Sequence, residues 1–583
     1  MPTYTAPAKD TLFIFEKLIA ADALDAELTQ TIVEEAGRFC AEVIAPLNQP
    51  GDAAGCTRHA DGTVTTPPGY REAYAQYCEM GWGTLALPEE FGGQGMPHVL
   101  ATVVEEYINS SCHAFNMYPG LTHGAVAALM SVGSDQLKAD YLPKLVSGEW
   151  LGTMALTEAH CGTDLGLLRT RAEPRGDGSF GISGEKIFCS GGEQDLTENI
   201  IHLVLARLPD APAGSRGISL FLVPKVLPDG TRNAATCGSI EHKMGVHGSA
   251  TCVMNFDGAT GWLVGQEHAG LAAMFVMMNA ARLSCGNQGL AQAELAYQNA
   301  AAYALDRRQG KGSGTRADPS AAADPLVVHP DVRRLLMNAR AFTEGFRALV
   351  LWTSWQIDLS HLSDDAEERR KADALVTLLT PVLKGYGTDC GFETAVAMQQ
   401  IYGGHGYVAE WGMEQIVRDA RVAMLYEGAN GVQALDLAGR KVARDGAQVL
   451  ELLLSRIDTA CAAAPDDLCF ISAPLAEAVS EAREAGQWLV SAAGGNAGLG
   501  PDDLGGGSYA FMQLLGVVAI GWMWLRLAEA ALPDQADPFC AAKLVTARHY
   551  ALRSLPECVA LRRQVEAGAQ ALMDLPAESF LRG

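Results

Sequence analysis

Two segments near residue 400 contain polar side chains beside glycines and are candidate sites for catalysis or ligand binding. The first is QIYGGHGY at 400–407, and the second is RDARVAMLYEG at 418–428, which ends in Glu427 and Gly428. A carboxylate such as Glu427 can act as a general base when its surroundings raise its pKa toward the working pH. Taken alone, a Glu near a helix end is more often a solvated acid, because most Glu side chains are exposed. The role of Glu427 therefore depends on its context.

Two earlier segments combine hydroxyl groups, glycines and an aromatic ring. They are MALTEAHCGTD at 154–164 and KIFCSG at 186–191. Considered alone, Phe188 reads as a core residue of a strand.

The elements that must position these residues change along the chain. Residues 10–150 have helical periodicity, and residues 151–264 consist of short apolar runs punctuated by glycine, which favours an antiparallel barrel or sandwich. Helical patterns return at 274–304, 330–360, 369–400 and 416–440, which predicts a helix bundle. The segment 310–325, rich in Gly, Ala, Ser and Pro, is expected to be a mobile excursion.

A further helical block follows residue 445, with helices expected at 449–463, 475–493, 509–531 and 539–553. The stretch GGNAGLGPDDLGGGS at 494–508 has the composition of a flexible linker and lacks the strand that a dinucleotide-binding fingerprint needs. The sequence thus predicts four domains: a helical domain at 1–150, a β domain at 151–265, a helix bundle at 266–445 and an additional helical domain at 446–583.

Composition narrows the classes of function. A net charge of −25 disfavours binding to nucleic acid or to anionic membrane surfaces. The N-terminus lacks a secretory pattern, so a cytoplasmic location is expected. Fourteen cysteines without CxxC or Cys/His ligand spacing predict neither a metal nor a disulfide. The most apolar stretch, 512–524, is too short for a bilayer of about 30 Å and is expected to be a buried helix, without membrane insertion.

The helix–sheet–helix order and the linked motifs at 400–407 and 418–428 resemble the acyl-CoA dehydrogenase family. This resemblance implies an FAD-dependent enzyme that dehydrogenates acyl-CoA thioesters, with Glu427 as the catalytic base. It also implies that Tyr426 and Gly428 lie at the substrate, with Arg282 near the CoA or acyl group. In the family this arginine has an acidic partner on the same helix, and in this sequence Asn279 stands at that position. Burial beside the bound thioester is expected to raise the pKa of Glu427.

The segments at 154–164 and 186–191 resemble the family's flavin-binding turn and strand, with Phe188 and Ser190 replacing the usual Trp and Thr. The resemblance implies contacts to FAD within one subunit from Leu156, Thr157, Gly162, Thr163, Phe188 and Ser190. It implies contacts to the FAD of a neighbouring subunit from Arg307, Gln309, Gln400, Gly403 and Gly404. A homo-oligomer, expected to be a dimer, follows from this sharing, and electron-transferring flavoprotein is the implied electron acceptor.

The extra C-terminal domain, the opening pattern YxxPxxDxxF at 4–13 and the segment EGANGVQ at 427–433 resemble a longer subgroup of the family. Its members oxidise 3-methylmercaptopropionyl-CoA in bacterial dimethylsulfoniopropionate breakdown. The alternatives are a general short- or medium-chain dehydrogenase of fatty-acid oxidation, a non-catalytic flavoprotein or assembly factor, and a nucleic-acid-associated relative. The chain length that the acyl pocket accepts stays open, because a thioether needs only an apolar pocket.

Overall fold

The computed structural model describes residues 2–19, 24–314 and 319–582. The chain forms two compact units. The sheet unit comprises Thr3–Ala6 and Glu34–Ser284, and the helical unit comprises Met1–Pro2, Pro7–Val33 and Cys285–Gly583.

The N-terminal part of the chain is helical, as its periodicity predicts. Its helices are α1 (Ala8–Ile14), α2 (Ala26–Phe39), α3 (Asn48–Ala54), α4 (Tyr70–Glu79), α5 (His98–Asn116), α6 (Pro119–Val132) and α7 (Asp135–Val146). A short antiparallel pair, β1 (Thr57–Arg58) and β2 (Val64–Thr65), lies between α3 and α4. In α5 the backbone departs from helical geometry at Cys112, which kinks the helix.

A mixed, mainly antiparallel sheet forms the middle of the sheet unit. Its strands are β3 (Trp150–Ala155), β4 (Arg171–Pro174), β5 (Phe180–Ser190), β6 (Asn199–Arg207), β7 (Ile218–Pro224), β8 (Ala235–Ile240) and β9 (Thr251–Val264). The ring β6–β4–β5–β9–β7 closes through the pairing of β6 with β7, while β3 and β8 flank it. Of the two predicted alternatives, a barrel or a sandwich, the structure forms the barrel, although β3 and β4 pair with β6 in parallel.

In the described residues between 270 and 445, three long α-helices are followed by two short ones. They are α8 (Gly270–Asp306), α9 (Pro330–Leu362), α10 (Ala366–Ile401), α11 (Met413–Arg421) and α12 (Asn430–Leu435). Of the segment 310–325, residues 315–318 lie outside the described residues. On either side of them, the Asp324 N–H donates to the carbonyl of Gly310 at 2.9 Å, and the Asp324 carbonyl accepts from the Gln309 N–H at 3.0 Å.

The prediction of one helix over 416–440 is wrong. The chain leaves helical geometry between α11 and α12, where Glu427 and Gly428 have φ of +53° and +85°. Left-handed residues end a right-handed helix because their carbonyl and N–H groups no longer point along its axis. The turn between α11 and α12 contains Glu427, the candidate base. The apolar periodicity of the sequence does not reveal this turn.

The C-terminal extension (residues 446–583) contains six α-helices within its described part, which ends at residue 582. They are α13 (Gln448–Ala463), α14 (Cys469–Ala493), α15 (Pro501–Ala531), α16 (Pro538–Arg553), α17 (Glu557–Glu566) and α18 (Gln570–Met573). The expected linker at 494–508 is wrong in its second half, because α15 begins at Pro501. Pro501 suits the first turn of a helix, and the Asp503 carboxylate accepts a hydrogen bond from the Gly500 N–H.

The apolar stretch 512–524 is buried within α15, which confirms that expectation. Within the described part of the chain, one helical segment, Pro501–Asp534, is long and apolar enough to cross a membrane, and 89% of its apolar window is buried inside the protein. Such a segment is typical of the central helix of a packed bundle.

Candidate active site

Glu427 lies in a tight turn of the helical unit. The turn follows α11 and a short 3-10 segment at Val422–Met424, and it ends where α12 begins at Asn430. A left-handed φ is uncommon for a residue other than glycine and costs about 1 kcal/mol or more. One carboxylate oxygen of Glu427 is buried. The backbone of this turn therefore aims a partly buried carboxylate in a set direction.

The neighbours of Glu427 anchor the turn at both ends. The Tyr426 hydroxyl donates a hydrogen bond to Oε1 of Gln288 on α8, and burial raises the pKa of this phenol well above its usual value. On the other side, Nε2 of the fully buried Gln433 lies 3.3 Å from the carbonyl oxygens of both Glu427 and Gly428. Gln288 and Gln433 were not predicted as site residues, because their role arises only from contacts across the turn.

A second group of predicted residues lies at the end of α8 and the glycine-rich turn after α10. Tyr303 stacks on Tyr402 with ring centres 4.1 Å apart, and its hydroxyl is 2.9 Å from Nδ1 of His405. His405 in turn stacks on Trp411 at 4.2 Å. This aromatic cluster fixes the glycine-rich turn against the last turns of α8. It brings together exposed residues that were expected to contact a flavin, namely Arg307, Gln400, Gly403 and Gly404.

Gln309 is also exposed, and its backbone is held by the neighbouring loop. Its N–H donates to the carbonyl of Asp324 at 3.0 Å, and its own carbonyl lies 2.7 Å from Nε2 of His329. Gly403 has φ of +57°, which favours glycine at this position.

In the sheet unit, Phe188 is not the core residue that its sequence context suggests. Its side chain is 59% exposed and its φ is +59°. The pairing of β5 with β9 shifts register between Lys186 and Cys189, so a bulge turns the Phe188 ring out of the sheet. An exposed aromatic ring in a strained backbone conformation is typical of a binding surface.

The turn after β3 lies beside this bulge. The Ile187 N–H donates to the carbonyl of Thr157 at 2.8 Å, which places the turn next to Phe188. Leu156 and Thr157 are half-buried, and Gly162 and Thr163 are exposed further along the turn. Ser190 pairs with Thr251 on β9 and is also half-buried. The structure thus places Thr157 and Ser190 next to the bulge that carries Phe188, with Leu156, Gly162 and Thr163 in or beside the same turn as Thr157.

A buried ion pair holds the turn after β3 against β5. Nζ of Lys186, which has no exposed side-chain surface, lies 2.9 Å from Oε1 of Glu158 and 2.9 Å from the Leu156 carbonyl. Burial by itself would raise the pKa of Glu158, but Lys186 and hydrogen bonds from Thr170 lower it to about 2. Sequence reasoning missed this pair, although a lysine inside an apolar strand run is a signal for a buried partner.

Glu158, His160 and Cys161 bring three atoms that could bind a metal within 4.8 Å of one another. The carboxylate of Glu158, however, already accepts hydrogen bonds from Lys186, Thr170 and the Arg169 N–H. We therefore assign no metal to this group.

Arg282 lies half-buried on α8 in the sheet unit. Its Nη1 is 3.4 Å from Oδ1 of Asn279, and its guanidinium lies 5.6 Å from the ring centre of Phe275. The asparagine that replaces an expected acid is thus still a contact of Arg282, with a weaker interaction than a carboxylate would provide.

Comparisons with known proteins agree with this arrangement. Four family models match in order: Acyl-CoA dehydrogenase N-terminal domain at 26–149, middle domain at 153–259, C-terminal domain at 268–442 and Acetyl-CoA dehydrogenase C-terminal like at 453–576. A 3-methylmercaptopropionyl-CoA dehydrogenase from Ruegeria pomeroyi is 42% identical over 98% of this chain and 99% of that protein. The chain belongs to the acyl-CoA dehydrogenase family.

This acyl-CoA dehydrogenase has further relatives in sequence and in fold. A broad-specificity linear acyl-CoA dehydrogenase of Mycobacterium tuberculosis, FadE5, is 34% identical over 89% of this chain and 88% of that protein. Caenorhabditis elegans ACDH-11, solved in complex with C11-CoA, shares the fold with a TM-score of 0.80 at 18% identity, covering 99% of this chain and 96% of that one. An acyl-CoA dehydrogenase from Bacillus anthracis complexed with FAD has a TM-score of 0.75 at 20% identity, covering 95% and 90%.

The protein is thus an FAD-dependent enzyme that dehydrogenates acyl-CoA thioesters. Its own residues fit the cofactor. The outward ring of Phe188 offers a flat face to an isoalloxazine, and two hydroxyl-bearing residues are close to it in the fold: Ser190 on the same strand and Thr157, which is hydrogen-bonded to Ile187. The exposed guanidinium of Arg307 fits a pyrophosphate, since Arg binds such groups through charge-assisted hydrogen bonds.

Proposed function

We propose that this acyl-CoA dehydrogenase converts 3-methylmercaptopropionyl-CoA to 3-methylthioacryloyl-CoA, as part of dimethylsulfoniopropionate and sulfur metabolism. The observation that carries the proposal is the 42% identity to the Ruegeria pomeroyi enzyme over almost the whole of both chains. The relative named for linear acyl-CoA substrates is 34% identical over 89% of this chain. A straight short or medium acyl chain is therefore the second candidate substrate.

Glu427 is the proposed base, which removes a proton from the carbon next to the thioester carbonyl. Its left-handed backbone and partly buried carboxylate support this role, because proton abstraction from carbon needs a positioned, desolvated base. As the proton leaves, negative charge develops on the thioester oxygen, which the backbone N–H of Glu427 is proposed to hold. FAD, when bound, takes up the hydride from the neighbouring carbon. Tyr426 and Gly428 flank the substrate in this proposal.

The test follows flavin absorbance without oxygen while 3-methylmercaptopropionyl-CoA, butyryl-CoA and octanoyl-CoA are added in turn. We expect the thioether substrate to bleach the flavin fastest. Glu427→Gln should lower the rate of bleaching by at least about 10³-fold, because general-base catalysis contributes up to about 10⁴-fold. The exposed Glu410→Gln serves as the matched control and should bleach normally.

Each outcome has a distinct meaning. Fast bleaching by straight chains alone would exclude the thioether substrate and leave the enzyme class standing. Normal bleaching by Glu427→Gln would exclude Glu427 as the base.

We also propose that the protein acts as a homodimer in which each subunit binds part of its partner's flavin. Five exposed residues support this, because each is accessible to a flavin that another subunit binds. They are Arg307, Gln309, Gln400, Gly403 and Gly404. Sedimentation equilibrium should give about twice the chain mass of 61.7 kDa. A mass near four chains would exclude the dimer.

The reduced flavin must pass its electrons on, and electron-transferring flavoprotein is the proposed acceptor. Substrate-dependent reduction of purified electron-transferring flavoprotein tests this, with oxygen consumption as the competing outcome. A cytoplasmic location is proposed as well, supported by the fourteen cysteines, all of which lie among the described residues and none of which forms a disulfide.

A further inference from the structure

A buried polar cluster joins the turn of Glu427 to α10. Asn430, the first residue of α12, lies three residues after Glu427 and is 5% exposed. Its Nδ2 donates to Oδ1 of Asp389 at 2.7 Å and lies within 3.0 Å of the Gly385 carbonyl and of Oγ1 of Thr388. Its Oδ1 accepts from Nζ of Lys384 at 2.8 Å. Both ends of the amide are therefore held, so the start of α12 has one position.

The same aspartate is held from the other side by the C-terminal extension. Oδ2 of Asp389 accepts hydrogen bonds from the Tyr509 hydroxyl at 2.5 Å and from Nε2 of Gln513 at 2.7 Å. Tyr509 and Gln513 lie one helical turn apart on α15. Hydrogen bonds to a carboxylate are roughly twice as strong as those between neutral groups. Asp389 thus links α15 to the first residue of α12 through its two oxygens.

Glycines let α10 and α15 approach closely at this level. A Cβ on Gly385 would lie 2.2 Å from Sδ of Met512, and one on Gly516 would lie 2.3 Å from the ring of Tyr386. Such contacts are too short for any side chain larger than hydrogen. The two helices are therefore packed backbone to side chain around Asp389, and α15 has little freedom to shift.

We propose that Tyr509 and Gln513 are positioning residues for the catalytic base, and that this is a function of the C-terminal extension. By fixing Asp389 they fix Asn430, and with it the strained turn that aims Glu427. A strained φ persists only where the surroundings over-determine it. The inference rests on the proposed role of Glu427. Neither Tyr509 nor Gln513 is assigned a contact with substrate or flavin.

The consequence should be kinetic. A displacement of about 1 Å at a reacting group can cost about 10²-fold in rate. Removing a hydrogen bond to Asp389 should therefore lower the limiting rate of flavin reduction. It should also shift the pH dependence of that rate, because the Glu427 carboxylate would then sample positions with different solvation. Substrate affinity should change little.

The experiment uses the FAD-loaded full chain and the same anaerobic assay with saturating acyl-CoA across pH. Tyr509→Phe and the double variant Tyr509→Phe/Gln513→Met should lower the limiting rate about 10-fold or more and move the midpoint of the rate–pH curve. The half-saturating substrate concentration should stay within about twofold. Tyr550→Phe is the matched control, since it removes a buried hydroxyl that donates to the Val517 carbonyl at 2.8 Å, outside the hydrogen bonds of Asp389 and Asn430.

Wild-type rates and an unmoved pH midpoint in Tyr509→Phe would overturn the positioning role and leave the cluster purely structural. The same would follow if Tyr550→Phe shifted the midpoint equally. Should the double variant fail to fold, Tyr509→Phe alone decides, because it removes a single oxygen atom. Glu427→Gln in the same assay separates the two claims: if it bleaches normally, the base assignment fails, whereas an inert Glu427→Gln beside an unaltered Tyr509→Phe overturns only the positioning role.

Discussion

At the residue scale, Phe188 and Glu427 share an uncommon backbone. Both have φ near +55° without being glycine, and each lies where the sequence motifs indicate ligand contact. Such conformations cost about 1 kcal/mol or more apiece. Strain of this kind is typical of positions where the direction of a side chain matters more than stability.

The first prediction concerns Phe188. Phe188→Gly should weaken FAD binding by about 10-fold, because it removes an aromatic face worth roughly 1 kcal/mol in stacking beyond its area burial. The apoprotein should keep its stability, since glycine adopts the left-handed conformation freely. Equilibrium titration with FAD and thermal unfolding of the apoprotein measure the two effects.

Phe180 on the same strand provides the contrasting control. Its ring packs on Phe221 with centres 5.1 Å apart in the core of the sheet unit. Phe180→Ala should lower the unfolding temperature of the apoprotein. If Phe188→Gly did the same and left FAD affinity unchanged, Phe188 would be a structural residue.

At the element scale, α5 carries a buried titratable group. Both ring nitrogens of His113 are buried without a hydrogen-bond partner among the described residues. Burial, helped by the charge of Lys243, lowers the pKa of His113 from 6.5 to about 4. The ring is therefore neutral in the folded protein at neutral pH.

The second prediction is a loss of stability in mild acid. Because the pKa of His113 is lower in the folded than in the unfolded chain, acidification favours unfolding as pH falls from about 6.5 to about 4. The shift corresponds to about 3 kcal/mol at the lower limit. His113→Leu should flatten the curve of unfolding free energy against pH in this window, as urea titrations would measure. The exposed His59→Leu is the control for the substitution itself.

At the scale of the whole molecule, a buried charge cluster joins distant parts of the chain within the helical unit. Asp10 of α1 accepts from Arg347 of α9 at 2.6 Å and also from Lys543 of α16. Burial would raise the pKa of Asp10, but the two cations hold it below its usual value. Lys543 also bonds Glu344 at 2.7 Å. The opening pattern YxxPxxDxxF thus contains a residue that anchors α1 to both the bundle and the C-terminal extension.

The third prediction follows from this cluster. Asp10→Asn leaves two buried cations with one fewer negative charge, which should destabilise the protein by about 3–5 kcal/mol. Thermal unfolding of the purified variant would measure the loss. Asp537→Asn is the matched control, because its ion pair with Lys9 is exposed and 3.9 Å long. Equal unfolding temperatures for Asp10→Asn and the native protein would contradict the role given to the cluster.

Much of this arrangement could be predicted from sequence. Apolar periodicity predicts the long helices and the β region, because burial of one face of a helix or strand imposes a regular spacing of apolar residues. The motifs around Glu427, Thr157 and Arg307 pointed to the family, and the family implied the fold and the chemistry. These features are local, so short stretches of chain carry them.

Other features depended on contacts between distant residues. The outward turn of Phe188 follows from the register shift of β5 against β9, and the left-handed turn at Glu427 interrupts what periodicity presents as one helix. Gly505 to Gly507, which looked like a linker, lie in α15, where a Cβ on Gly506 would meet the Gly568 carbonyl at 2.6 Å. Composition could not distinguish glycine that loosens a chain from glycine that permits close packing.

The sequence by itself determined the family, the order of elements and the residue types of the site, since these are properties of neighbouring residues. Only the tertiary structure decided that Asp389 joins Asn430 to Tyr509 and Gln513. These partners are separated by 41 to 124 residues, and no local pattern links them. A hydrogen bond needs atoms within about 3 Å, and that condition is met only when α10, α12 and α15 pack together.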